Sequence, residues 1–131
     1  MHPLTQMKLL ISLAQADGKV AEREKNYIIN IGRANGIYPD QIQTMFPKQY
    51  EVIVPENLSA DQKFECIYSL VQLMKIDERM YQEEIRFCSA IAVKLGYDHE
   101  VLFELMLHVK GEMTEGEKAN LKKLTEKFLK K

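Results

Sequence analysis

The sequence predicts an all-α protein, and three observations predict it. Apolar residues recur at helical spacing through about seven segments, most of them closed by a glycine or a proline. Only Tyr50 to Val54 has the composition of a strand, and one isolated strand makes no sheet. A pattern of residues in the first half returns sixty positions later without a gap. The expected architecture is a single domain over 1–131: two three-helix units related by a pseudo-twofold, at about 4–46 and 60–109, a linker at 47–58, and a C-terminal helix at 114–129.

The first helix is expected from about Leu4 to Ala16. Met7, Leu10, Ile11 and Ala14 keep one face apolar, and Leu9 and Leu13 widen it enough to meet more than one neighbour. Asp17-Gly18 then turns the chain, glycine accepting the backbone angles of a tight reversal. The second helix begins near Ala21 and stops at Asn35-Gly36. Its Ala21-x-x-Glu24 start has capping-box spacing without the hydroxyl member, and Tyr27, Ile28 and Ile31 form its inner stripe. A short third helix, Tyr38 to Phe46, carries Pro39 in its first turn and turns Ile42, Met45 and Phe46 inward.

Pro47 and Pro55 bracket the linker, which is expected to lie extended across the helices. Ser59-Ala60-Asp61-Gln62 is a capping box that opens the fourth helix, to about Ile76. Phe64, Cys66, Ile67, Tyr68, Leu70, Val71, Leu73 and Met74 surround most of that helix, which places it at the centre of the bundle. The fifth helix runs from about Tyr81 to Leu95, with Ile85, Phe87, Cys88, Ile91, Ala92 and Leu95 inside and Gly96 as its stop. The sixth, about Asp98 to Lys110, buries Val101, Leu102, Leu105, Met106 and Val109. Thr114-x-x-Glu117 is a complete capping box for the seventh, whose apolar face is Leu121, Leu124, Phe128 and Leu129.

At the offset of sixty, Leu13, Asp17, Glu24, Ile31 and Gly36 align with Leu73, Asp77, Glu84, Ile91 and Gly96. Val20, Tyr27, Ile42 and Met45 align with Met80, Phe87, Leu102 and Leu105. Two units are too few for an open solenoid, so they are expected to pack face to face. The run Ala16-Asp17-Gly18-Lys19-Val20-Ala21-x-x-Glu24-x-x-x-Ile28, repeated as Ile76-Asp77-x-x-Met80-x-x-x-Glu84-x-x-x-Cys88, resembles the signature of TerB-like domains. These are helical domains similar to the tellurite-resistance protein TerB and to the membrane-proximal part of the DjlA co-chaperones. The resemblance covers roughly residues 5–108. It implies an all-α fold, an acidic surface that binds metal ions and a setting in stress response. Glu78 stands where the first turn has Gly18, and there is no J-domain motif, so a DjlA-like chaperone role does not carry over.

Composition narrows the function classes. The chain is 131 residues long, 46% hydrophobic and 28% charged, the balance of a globular domain large enough for its own core. No apolar run approaches the ~20 residues needed to cross a bilayer, and no secretory signal is visible, so a cytoplasmic protein without stable membrane insertion is expected. Cys66 and Cys88, far apart and inside apolar patterns, read as reduced core thiols. Residues 118–131 hold six lysines and one acid, while the rest of the chain is net acidic. An acidic body disfavours nucleic acid as a partner, since such binding rests on neutralising phosphates. The lysine-rich end reads as a solvated face.

The candidate site is the pair of acidic turns. Asp17, Glu24, Asp77 and Glu84 would converge across the pseudo-twofold, where neighbouring carboxylates must shift their pKa, stay solvated or hold a cation. Oxygen donors of this kind suit Ca²⁺, Mg²⁺ or Mn²⁺ rather than zinc, and no other cofactor is indicated. The turns are not EF-hands, because Gln15 and Ala16 occupy places where alternate acids belong. The competing account is capping: acids at helix starts are stabilising without any metal. His2, His99 and His108 are scattered, with His108 expected as a partly buried packing residue, and neither a nucleophile elbow nor a phosphate loop is present. The expected function is therefore a non-enzymatic binding module for a metal ion, a protein partner or both. A purely structural interaction domain is the alternative, and a metal-dependent enzyme a more remote one.

Overall fold

The structure, a computed structural model, describes residues 2–16, 20–76, 82–110 and 112–129. Among these are seven helices and no strand: α1 (Pro3–Ala14), α2 (Glu22–Ala34), α3 (Pro39–Gln43), α4 (Ala60–Lys75), α5 (Gln82–Lys94), α6 (Val101–His108) and α7 (Glu115–Glu126). At α1, α2, α4 and α7 local hydrogen bonds mark the start. At α4, the Gln62 N–H donates to Ser59 Oγ at 3.1 Å and the Ser59 N–H to Gln62 Oε1 at 2.9 Å. Thr114 and Glu117 form the same reciprocal pair at α7, at 3.1 and 3.2 Å. At α2 only the half that an alanine permits is made, the Ala21 N–H donating to Glu24 Oε1 at 3.2 Å. The start of α1 is closed by a residue the sequence pattern did not single out: His2 Nδ1 accepts the Leu4 N–H at 3.1 Å, ahead of Pro3 in the first turn.

The stops of α2 and α5 share one hydrogen-bond pattern. Gly36 and Gly96 have φ of +83° and +96°, angles that favour glycine. After α2 the Ile37 N–H bonds Gly32 O at 2.9 Å and the Gly36 N–H bonds Arg33 O at 3.1 Å. After α5 the Tyr97 N–H bonds Ala92 O and the Gly96 N–H bonds Val93 O, both at 3.0 Å. These are two Schellman caps sixty residues apart, so the duplication extends to individual hydrogen bonds.

The core is continuous. Met7, Leu10, Ile11 and Leu13 of α1 and their equivalents Ile67, Leu70, Val71 and Leu73 of α4 are all buried. α4 packs against α1, α5, α7, α2 and α6, and α1 packs against α4, α2 and α5. The fully surrounded apolar helix is thus the central one, as its pattern requires. Both thiols are free and buried. Burial pushes Cys66 up to about 12 and Cys88 higher, Glu84 adding to the latter.

Several expectations are corrected. The third helix spans only Pro39–Gln43 and then passes into a turn, yet Ile42, Met45 and Phe46 are buried as the spacing requires. The sixth is Val101–His108, because Asp98 to Glu100 form its entry turn and Val109 is already extended. His108 is exposed, with Nε2 3.6 Å from Glu104, rather than packed. Ile85 and Phe87 are half-buried, while Glu84 takes an inner place. Between α3 and α4 the linker segment forms neither helix nor strand, and Tyr50, Val52 and Val54 turn towards the core while Glu51 and Ile53 face outward.

α7 is fastened at both ends. Lys118 Nζ lies 2.9 Å from Glu65, and Lys122 pairs with Asp61. Steps of four along each helix, in opposite directions, match an antiparallel α4–α7 packing. The expected solvated lysine face is therefore partly spent on acids of the same chain. At the far end, Tyr97 pairs with Leu129 in an isolated antiparallel bridge, and the Asp98 N–H donates to Phe128 O at 2.6 Å. The buried Tyr97 hydroxyl meets the buried Thr125, and burial raises it to about 12.

Candidate functional site

Of the four acids expected to form a site, Glu24 and Glu84 lie among the described residues, and Asp17 and Asp77 lie outside them. Glu24 sits in the first turn of α2 and Glu84 in the first turn of α5. Both are 4% exposed, unusual for glutamate, and they occupy equivalent places in the two units. Three residues further into each helix come Tyr27 and Phe87, and four residues further come the fully buried Ile28 and Cys88. The helical repeat that buries those residues also turns the glutamates inward. A buried carboxylate needs donors or cations to offset its lost hydration. For Glu24 one such donor is the Ala21 N–H. At Cys88 burial, and after it the Glu84 carboxylate, raises the thiol above its ordinary value.

The one group of three potential ligands that converges among the described residues is Asp98, His99 and Glu100, with ligand atoms within 4.8 Å. These are consecutive residues of the turn entering α6. Asp98 Oδ1 accepts the Glu100 N–H at 3.2 Å and lies 3.4 Å from His99 Nδ1. They are half-buried or exposed, and their contacts are those of a helix entry.

A larger feature lies between α2, α4 and the start of α7, where a cleft of about 650 Å³ has a polar floor. The Tyr27 hydroxyl donates to Gln72 Oε1 at 2.8 Å and lies 3.3 Å from Ser69 O. Gln72 Nε2 donates to the Tyr68 hydroxyl at 3.0 Å and to Lys110 O at 3.2 Å. Gln6 Nε2 donates to Ser69 Oγ at 3.2 Å, and Ser69 Oγ donates to Cys66 O at 2.9 Å. Gln72 thus joins α2, α4 and the segment after α6 through one amide. Burial, then the neighbouring Tyr68 and Glu65, pushes the Tyr27 phenol well above its ordinary value, so it remains a neutral donor.

The apolar stripes that contain Tyr27 and Tyr68 account for their rings but not for their hydroxyls, so the cleft is not visible in the stripes. The signal was the polar pair Ser69 and Gln72 interrupting an otherwise apolar α4, at spacings that place Tyr68 and Gln72 on one face.

No protein-family model, curated protein or solved structure matches the chain.

Proposed function

We propose that this chain is a non-enzymatic binding module, similar to TerB-like domains and working in the cytoplasm in a stress-response setting. Its ligand is a divalent cation, a partner protein or both, taken at the acidic turns that precede α2 and α5. The observation that carries this reading is the equal burial of Glu24 and Glu84 sixty residues apart. Two inward carboxylates at equivalent places supply hard oxygen donors, which favour Ca²⁺, Mg²⁺ or Mn²⁺. With Asp17 and Asp77, seven residues earlier in the sequence, the donor set has four acids.

The structural reading has its own support in the Ala21–Glu24 hydrogen bond, which is a helix cap and holds without any ion. Thermal melts separate the two. A cation that binds only the folded chain stabilises it by about 2.7 kcal/mol at a hundred times its dissociation constant. Millimolar Ca²⁺, Mg²⁺ or Mn²⁺ should therefore raise Tm for the wild-type chain and leave Glu24→Gln plus Glu84→Gln unmoved. An unchanged Tm with all three ions rules out the ion and leaves capping as the role of these acids. Asp17→Asn and Asp77→Asn would then lower Tm equally with and without metal.

A further inference from the structure

We infer that the cleft between α2, α4 and the start of α7 binds a small organic ammonium group. This site is separate from the acidic turns and does not depend on them. The cleft already shows how it treats such a group. Lys118 Nζ stands 4.9 Å from the centre of the Tyr68 ring and 2.9 Å from the Glu65 carboxylate. An aromatic face and a carboxylate around one ammonium are the two attractions that recognise alkylammonium ligands. Lys118 is thus an internal ligand, on a long side chain that reaches in from α7.

The charge on the rim exceeds what that lysine neutralises. Glu112 and Glu115 also line the cleft and are exposed, and neither pairs with a cation among the described residues. Ile31 and Met113 offer apolar wall for an alkyl stem. The floor of tyrosine hydroxyl, glutamine amide and serine hydroxyl is already joined in hydrogen bonds, so its shape is held before a ligand arrives. A volume of about 650 Å³ falls in the usual range for small-ligand clefts. The chemistry is that of a free polyamine or of a lysine side chain on a peptide.

Calorimetric titration of the full chain with spermidine and with a trilysine peptide tests this, the tighter probe identifying the source. Because Lys118 competes for the same place, Lys118→Met should bind either probe about 3- to 10-fold more tightly than wild type. In that background Tyr68→Leu should weaken binding by about 5- to 30-fold, the worth of a partly desolvated cation–π contact. Glu65→Gln and Glu112→Gln should each weaken it by about 2- to 5-fold, whereas Glu83→Gln on α5 should not. Tyr68 is in the core, so Tyr68→Phe serves as a second variant: it keeps the ring and loses only the hydroxyl that accepts from Gln72, and it should weaken binding less than Tyr68→Leu does. The proposal is overturned if Lys118→Met gains nothing, or if Glu83→Gln weakens binding as much as Glu65→Gln. The first outcome removes the competition, and the second leaves only general charge attraction.

Discussion

In the first unit Gln15 donates its amide to Phe46 O and Lys48 O, both at 2.9 Å. In the second unit Lys75, sixty residues on, donates its ammonium to Met106 O at 2.8 Å and to Val109 O. Each residue ties the end of its unit's first helix to backbone carbonyls near the unit's far end, those of Phe46 and Lys48 in the turn after α3, those of Met106 and Val109 at the end of α6. They do it with different chemistry. The negative end of the eight-residue α6 favours a cation, whereas the carbonyls of the turn beyond α3 take a neutral amide. Elsewhere the units also share a place and differ in content: Ile28 faces the core where Cys88 does, and Gly32 stands where Ala92 does. At Gly32 an added Cβ would meet Ile42 Cδ1 at 2.2 Å, so the first unit closes more tightly there. What duplication kept is the backbone and its caps, and what diverged is the side chain that fills each place.

The largest test of that comparison is in the core. Ile28→Ala should cost about 3–4 kcal/mol of unfolding free energy. Cys88→Ala, at the equivalent place, removes a single sulfur and should cost about 1 kcal/mol. Equal losses in urea melts would mean that the two interiors are not filled differently after all.

Next come the paired latches. Lys75→Met strands two carbonyls that were bonded to a charged donor and should cost about 2–3 kcal/mol, against about 1–2 for Gln15→Leu. Lys75→Gln, which gives the second unit the first unit's donor, should recover part of the loss. Failure to recover any of it would show that the charge, not the donor, is what the α6 end requires.

Both buried thiols lie in the second unit, and alkaline pH should weaken the chain through them from pH 9, below the point at which the buried Tyr27 phenol of the first unit adds its own loss. An unfolded thiol titrates near 9.0, while Cys66 in the fold stays protonated to about 12. The folded chain therefore holds more protons across that window, and stability falls as pH rises from 9 towards 12. The slope for one such thiol is at most about 1.4 kcal/mol per pH unit. Cys66→Ala should flatten the fall in Tm over that range, and an unaltered pH profile would contradict a buried, protonated thiol.

The smallest difference is expected at the caps. Gly36→Ala and Gly96→Ala should each cost about 1–2 kcal/mol, since both residues hold left-handed angles. Their losses should agree within about 0.5 kcal/mol, the range within which independent sites behave alike. A larger gap would break the equivalence of the two helix stops.

Much of the fold was legible because its signals are local. Capping boxes at Ser59 and Thr114, the glycine stops at Gly36 and Gly96 and the inner stripes of α1 and α4 each depend on residues within one or two turns. Helix lengths at α3 and α6 were less legible, since an apolar pattern continues through a turn as readily as through a helix. Of the four acids Asp17, Glu24, Asp77 and Glu84 that the repeat brings forward, Glu24 and Glu84 are buried, and their burial follows from the same periodicity that buries Ile28 and Cys88.

By itself the sequence determined the all-helical class, the internal repeat, the central place of α4 and most helix starts. Hydrogen bonds between near neighbours and the 3.6-residue period are sufficient for these. Only the tertiary structure decided that Lys118 and Lys122 meet Glu65 and Asp61, that Tyr97 anchors the end of α7, and that Tyr27, Tyr68 and Gln72 share one cleft. Apart from Tyr68 with Gln72, those contacts join residues far apart in the sequence, and nothing in local spacing states which distant helix a polar side chain will face.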